Sequence, residues 1–405
     1  MSTRQRAYKT ELNPTADQVQ AFVLQSDVTR FVWNWALGRK QEHYKATKQS
    51  LKSGELIKEF RAIRKERWPW TIGASSRAEE TALRNLDAAF KNFFEKRGKY
   101  PRFKSRKRGT VAFSYWSIKP EHVTADAIRL QGMGWIRLKE RGYLPTAERG
   151  VKINRATVSE RGGRWFVSLQ VEETYAKPIE FGAALGVDPG IKTLVTVSDG
   201  RQFANPKSQE KAARKVRKLN KKLARQQKGS ARRERTKIDL QRAYMRAANV
   251  RTHATHNATS AVIAGAPIAI GIETLNVAGM VRNHSLARAV SDANMSEVLR
   301  QIRYKSDWAG IHVTEADRWF PSSKMCSQCG VIHASLQLSD RMYRCAECGF
   351  ECDRDLNAAL NLAALAAKSV ESLNARGEAR PEQSCGDLEP SEKREPCAGG
   401  GVLTQ

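Results

Sequence analysis

The sequence predicts a multidomain α+β chain, and three observations carry that expectation. The first hundred residues place apolar side chains at helical spacing. Residues 110–171 switch to short alternating runs, and two apolar runs near positions 185 and 270 each end in a carboxylate. A length of 405 residues fits roughly two to four domains. A composition of 40% hydrophobic residues excludes wholesale disorder.

Residues 8–12 read as extended. Pro14, Thr15, Ala16, Asp17 and Gln18 resemble a helix start, followed by Phe22, Val23, Phe31, Val32, Trp35 and Leu37 on a partly buried helix face. Further helices are expected over 56–67 and 76–96. The runs 111–116, 135–138 and 165–171 are separated by Gly, Pro and charged turns, which reads as antiparallel β-structure, a small barrel. A new unit starts near Gly182. Residues 183–188 form an apolar strand ending in Asp188, Pro189 and Gly190 turn the chain, and 194–198 form a second strand. The run 267–273 repeats the design and ends in Glu273. A third carboxylate, Asp353 or Asp355, opens a helix of small residues running to about Ala367.

The chain has 70 Lys and Arg against 42 Asp and Glu, a formal net charge of +28. A polyanion is the default partner for such a surface, because basic side chains that neutralise phosphates release condensed counterions. Two segments concentrate the charge. Residues 91–108 hold nine Lys or Arg and one acid, interleaved with Phe93, Phe94, Tyr100 and Phe103. Residues 207–251 hold seventeen basic and three acidic residues around a narrow apolar seam, which reads as one or two exposed helices broken near Lys228, Gly229 and Ser230. Lys99, Arg102, Lys104, Arg106 and Lys107 in the first segment, and Arg214, Arg217, Lys218, Lys221, Lys222 and Arg225 in the second, are the candidate nucleic-acid contacts. Solvated decoration is the ordinary alternative for any one stripe. From Lys368 onward the balance reverses to five basic and seven acidic residues with Pro and Gly runs, so residues 368–405 are expected to be a disordered tail. No apolar h-region opens the chain. Its longest apolar run, 261–272, is shorter than the ~18 residues of a membrane span, so a cytoplasmic, nucleoid-associated protein is expected.

Three carboxylates brought together would repel one another unless cations sat among them. Two Mg²⁺ ions ~4 Å apart are the arrangement used in metal-assisted phosphoryl transfer. Each acid alone has an ordinary explanation: Asp188 as a turn-former, Glu273 as a strand-end charge, Asp353 or Asp355 as a helix cap. The cysteines are more specific. Cys326 and Cys329, then Cys345 and Cys348, form two C-x-x-C knuckles fifteen residues apart, each followed by Gly, the spacing of a four-thiolate zinc ribbon. Cys352 lies near enough to compete as a ligand, while Cys385 and Cys397 fall in the tail as free thiols. His253 and His256 lack the Glu of an H-E-x-x-H helix and are assigned no role.

The motif order is G-V-D-P-G-I-K, a basic helical stretch, G-I-E-T-L-N-V, P-S-S-K-x-C-S-x-C-G, then C-x-x-C-G and D-R-D-L-N-A-A-L-N. That order resembles the TnpB family, transposon-encoded RNA-guided DNA endonucleases related to type V CRISPR effectors. The resemblance covers about residues 5–365, including the basic run from Tyr100 to Lys107. It implies a wedge β-barrel from 1–12 and 110–180 with a helical recognition lobe, 13–109, inserted. It also implies a split RuvC-like nuclease domain, 181–320 and 353–367, interrupted by a zinc ribbon, 321–352. Asp188, Glu273 and Asp355 would be the catalytic acids holding Mg²⁺, Cys326, Cys329, Cys345 and Cys348 would hold one structural Zn²⁺, and the partners would be a guide RNA and double-stranded target DNA, in a prokaryotic cell. A catalytically idle RNA-guided or zinc-ribbon repressor is the alternative.

Overall fold

The computed structural model describes residues 2–106, 110–116, 118–175, 181–333, 336–337 and 340–375. The chain divides into two compact units: residues 1–176 with 227–242, and residues 177–226 with 243–405. Lys107, Cys385, Cys397 and the expected tail beyond Ala375 lie outside the described residues.

The first unit opens with β1 (Ser2–Asn13), longer than the five residues expected, and three helices: α1 (Ala16–Thr47), α2 (Ser53–Arg67) and α3 (Ser76–Phe94). Thr15 caps α1 in a reciprocal box with Gln18, which is why the Pro14–Gln18 run was readable as a helix start. Five more strands follow: β2 (Ala112–Trp116), β3 (Ala127–Leu130), β4 (Gly134–Leu138), β5 (Lys152–Arg161) and β6 (Arg164–Tyr175). They join β1 in one antiparallel sheet of order β2-β5-β6-β1-β4-β3. The β5–β6 hairpin turns through Gly162 and Gly163, both at positive φ, the backbone a two-residue primed turn demands. Alternate residues Val167, Leu169 and Val171 are buried, and Phe22 of α1 packs on Phe113 and Trp165 at 5.8 and 4.9 Å between ring centres. Farther along α1, Val28, Val32 and Ala36 form a second apolar cluster with Leu56 and Phe60 of α2 and Leu83 and Leu86 of α3.

The second unit is built on a five-stranded sheet of order β11-β10-β7-β8-β9. Its elements are β7 (Leu185–Asp188), β8 (Thr193–Val197), β9 (Gln202–Ala204), α4 (Ser208–Arg225), α5 (Ala231–Ala264), β10 (Ala269–Ile272), α6 (Val277–Arg282), α7 (Ala287–Ala293), α8 (Met295–Ala309) and β11 (His312–Glu315). The short β12 (Met342–Arg344) and β13 (Glu351–Asp353) pair antiparallel, and α9 (Arg354–Ala375) follows. Part of α5, up to Arg242, counts with the first unit. Strands β7, β10 and β11 run parallel, β8 is antiparallel to β7, and β9 is antiparallel to β8. Parallel strands covered on both faces need apolar residues on both faces. Val187, Ile270 and Ile272 pack with Ala258 and Val262 of α5 and with Val298, Leu299 and Ile302 of α8. The residues between them, Gly186 and Gly271, point to the opposite face, where α9 lies.

The helix break falls in residues 226–230, with Gly229 at φ +87°, as expected for the basic region. One boundary is corrected: residues 368–375 are the last two turns of α9, not tail. Lys368 and Glu371 are compatible with a solvent-facing helix end, and charge reversal alone is no helix breaker.

Candidate active site and metal centre

Asp188 ends β7, and Glu273 is the first residue after β10. The two strands are parallel with Val187 opposite Ile272, so the next residue on each strand emerges at the same end of the sheet and on the same face. That face is also the α9 face. A Cβ on Gly186 would lie 1.8 Å from the Ala359 carbonyl oxygen, and one on Gly271 would lie 2.0 Å from that of Leu362. Only glycine permits this approach. Because α9 lies almost on the sheet backbone, Asp355, one turn before Ala359, arrives beside the two strand-end acids. Gly190 abuts it: a Cβ there would be 3.9 Å from Asp355 Oδ2.

Burial, then the charges of Glu273 and Asp355, hold the Asp188 carboxyl well above the ordinary carboxylate range, with Arg354 opposing them. Asp353 and Asp355 differ in their partners. Asp353 Oδ1 accepts from the backbone N–H groups of Asp355 and Leu356 at 2.9 and 3.3 Å, an N-cap for α9. The charge of Asp355 acts on Asp188 more strongly than that of Asp353.

Several supporting residues were not signalled by the sequence. Ser322 Oγ donates to Glu273 Oε1. From α9, Asn361 Nδ2 donates to the carbonyls of Ser322 and Met325, both at 2.7 Å, and Asn357 Nδ2 donates to Met325 O at 2.7 Å while its Oδ1 accepts from Ser327 N. Both asparagines are buried. One helix thus delivers an acid from its first turn and fastens the approach to the first knuckle from its next two turns. Positions 357 and 361 of D-R-D-L-N-A-A-L-N share a helix face, which puts both asparagines on the same segment.

The four cysteines of the two knuckles meet. Their sulfurs all lie within 4.8 Å of one another, with Cys326–Cys348 at 3.7 Å and Cys329–Cys345 at 3.6 Å. Zn–S bonds of ~2.3 Å put tetrahedral sulfurs ~3.8 Å apart, so the donor set fits zinc. Among the described residues only these thiols gather three or more possible ligand atoms so tightly; the carboxylates converge more loosely. The knuckles repeat each other: Gly330 N donates to Cys326 O and Gly349 N to Cys345 O, both at 3.0 Å, with both glycines at positive φ. Burial raises the Cys326 thiol, but backbone N–H groups of Cys329 and Gln328 outweigh it and bring it down to about 7, as suits a thiolate ligand. Cys352 is not in the cluster; its thiol donates to Asp353 O at 3.3 Å.

The basic candidates occupy surfaces. In the first unit Lys99, Arg102, Lys104 and Arg106 are exposed on a segment pinned along α1, where Trp33 Nε1 donates to Arg102 O and Asn34 exchanges two hydrogen bonds with the Lys104 backbone. Lys104 Nζ sits 3.7 Å from the Trp33 ring centre, and Arg106 faces Asp27 at 3.6 Å. In the second unit Arg214, Arg217, Lys218, Lys221, Lys222 and Arg225 are all exposed on α4, whose only buried residue is Ser208. Asp292 of α7, missed in the sequence, accepts from Ser208 Oγ and from the amides of Gln209 and Glu210, anchoring the N-terminus of α4.

Three family models match the chain: "Probable transposase" over residues 157–284, "Cas12f1-like, TNB domain" over 296–362 and "Helix-turn-helix domain" over 1–49. Residues 1–49 here contain a strand and a single helix. A Streptomyces pristinaespiralis protein named "Putative RNA-guided DNA endonuclease" is 34% identical over 373 residues, 90% of either chain. "Putative RNA-guided DNA endonuclease InsQ" of Escherichia coli K12 is 29% identical over 384 residues, covering 89% of this chain and 92% of its own. The solved Cas12f1–sgRNA–target DNA complex matches 89% of this chain and 98% of its protein with a TM-score of 0.52 at 11% identity, a likeness of fold. No helix among the described residues is long and apolar enough to cross a membrane.

Proposed function

Since this chain belongs to the TnpB family, we propose that it is an RNA-guided DNA endonuclease of a transposable element, cutting DNA phosphodiesters at Asp188, Glu273 and Asp355. The observation that carries the reading is the convergence of these three acids from two strand ends and a helix start.

Three mutually repelling carboxylates offer only hard oxygen donors, which suits Mg²⁺. Bound there, divalent cations would supply Lewis-acid polarisation of the phosphate and activation of water. The chain's own residues do the rest. Asp353 fixes the first turn of α9, so Asp355 keeps its place; Ser322 orients Glu273; and the glycine pair keeps the helix at backbone distance from the sheet. The four cysteines hold one structural Zn²⁺ that shapes the segment after Ser322. Guide pairing supplies sequence specificity, so protein contacts are mostly to phosphate, which accounts for exposed basic surfaces such as α4. In this reading the first unit comprises the wedge barrel and recognition lobe, and the second the split nuclease domain with its zinc ribbon. A short motif flanking the target is read by protein side chains.

Asp188→Ala and Asp355→Ala are each expected to abolish DNA cutting while leaving guide-RNA binding nearly intact. Unchanged cutting in both variants would defeat the assignment and favour the idle-repressor reading.

A further inference from the structure

Among the described residues the most exposed large apolar side chain is Trp319, at 81%. An indole is the side chain with most to gain from a flat partner, and leaving one in water forgoes that burial. The segment bearing it is tied at both ends. Ala316 N donates to Ile272 O at 2.8 Å, and Ala316 O accepts from Thr274 Oγ1 at 2.7 Å, so Glu273 is bracketed by the two bonds. Three residues beyond Trp319, Ser322 donates to Glu273 itself and is gripped by Asn361. Between these anchors Asp317 accepts from the amides of Trp319 and Phe320, closing a tight turn that presents the indole. Three residues reach at most ~11 Å, so the Trp319 backbone stays within that distance of both anchors beside Glu273. Stacked nucleotides advance ~3.4 Å each, so the indole lies within a few nucleotides of the acids. The Arg318 guanidinium sits 5.1 Å from the Trp319 ring centre, putting a cation next to a stacking surface.

We infer that Arg318 and Trp319 form a subsite for an unpaired DNA nucleotide next to the acidic centre: the indole stacks on the base while the guanidinium faces the adjoining phosphate. A base inside a duplex already has both faces occupied, so the subsite selects single-stranded DNA. The inference rests on reading the acids as a DNA-cutting site, and its test separates the two.

The full chain is purified with its RNA and mixed, with Ca²⁺ replacing Mg²⁺ so that the strand stays intact, with short single-stranded DNA oligonucleotides carrying 2-aminopurine at successive positions. Stacking on Trp319 predicts fluorescence quenching confined to one or two positions, lost in Trp319→Ala and retained in Trp319→Phe. In Mg²⁺ the Ala variant should cut target DNA with KM raised about tenfold, and the Phe variant should stay within about twofold of the parent. Because the side chain is exposed, melting temperatures should match. Quenching that is identical in Trp319→Ala overturns the subsite. A parent protein that cuts nothing yet shows quenching dependent on Trp319 upholds the subsite and defeats the nuclease reading.

Discussion

Replacing Gly186 by alanine tests the geometry on which the acidic site depends. The new Cβ would sit 1.8 Å from the Ala359 carbonyl oxygen and 2.6 Å from the Ala363 amide, both backbone atoms that no rotamer change can move. Ordinary contact lies near 3.5 Å, so α9 must retreat by about 1.7 Å or the strand must bend. Overpacking of this kind costs about 3 kcal/mol, the upper end of the usual range, because the opposing atoms belong to a helix backbone. For a unit of this size that lowers the melting temperature by roughly 6–12 °C. Asp355 rides on the displaced helix one turn from the clash, and a misplacement of about 1 Å can cost on the order of a hundredfold in rate. Gly182→Ala is the control: its Cβ would meet the Gly265 carbonyl oxygen at 3.5 Å, an ordinary contact, and it should melt and cut like the parent. Thermal unfolding followed by circular dichroism, together with single-turnover cleavage, reads both effects. A Gly186→Ala protein with parental melting and cutting would refute the close-approach argument.

Three further outcomes follow from the same structure. Cys329→Ser should reduce bound zinc, measured by mass spectrometry of the metal, from one per chain to well below one, and should lower the melting temperature. Full zinc retention would show that the four thiols are not the ligand set. Ser322→Ala, which frees Glu273 without altering any acid, should leave the melting temperature within about 2 °C and cut roughly 10-fold more slowly, with Ser322→Thr restoring part of the rate. An unaffected rate would mean that Glu273 is held by other means. Asp353→Ala removes the α9 cap and should cost about 1 kcal/mol in stability, whereas Asp353→Asn should cost less, because asparagine also caps. Equal losses in urea denaturation would show that the residue acts by charge and not as a cap.

What could be read in advance depended on how local each signal was. The four clustered cysteines sit in two four-residue knuckles, so spacing alone specified them. Asp188 and Glu273 were legible as strand-end acids, because each closes a short apolar run bounded by a turn; each alone also had an ordinary explanation, and their catalytic reading came from the motif order. Asp353 and Asp355 were ambiguous as residues, since both can cap or project from the first turn; the resemblance pointed to Asp355, and the bonds to the Asp355 and Leu356 amides give Asp353 the capping role. Gly186 and Gly271 looked like neutral members of apolar strands. Their meaning lies in what α9 places opposite them, a contact across more than ninety residues for Gly271 and more than a hundred and seventy for Gly186. Ser322 and Asn361 are likewise ordinary polar residues until tertiary structure joins them. The end of α9 was misplaced because the charge reversal at Lys368 precedes any helix-breaking residue, and the helix continues to Ala375.

On the proposed function this chain cuts DNA chosen by a bound RNA, with chemistry at the three acids. The most direct measurement is to sequence the RNA that co-purifies with the protein and then present the complex with DNA that carries or lacks its complement. Cutting should follow the complement when that sequence is moved, and should disappear in Asp188→Ala loaded with the same RNA. Cutting that ignores the complement, or that persists without Asp188, would contradict that function.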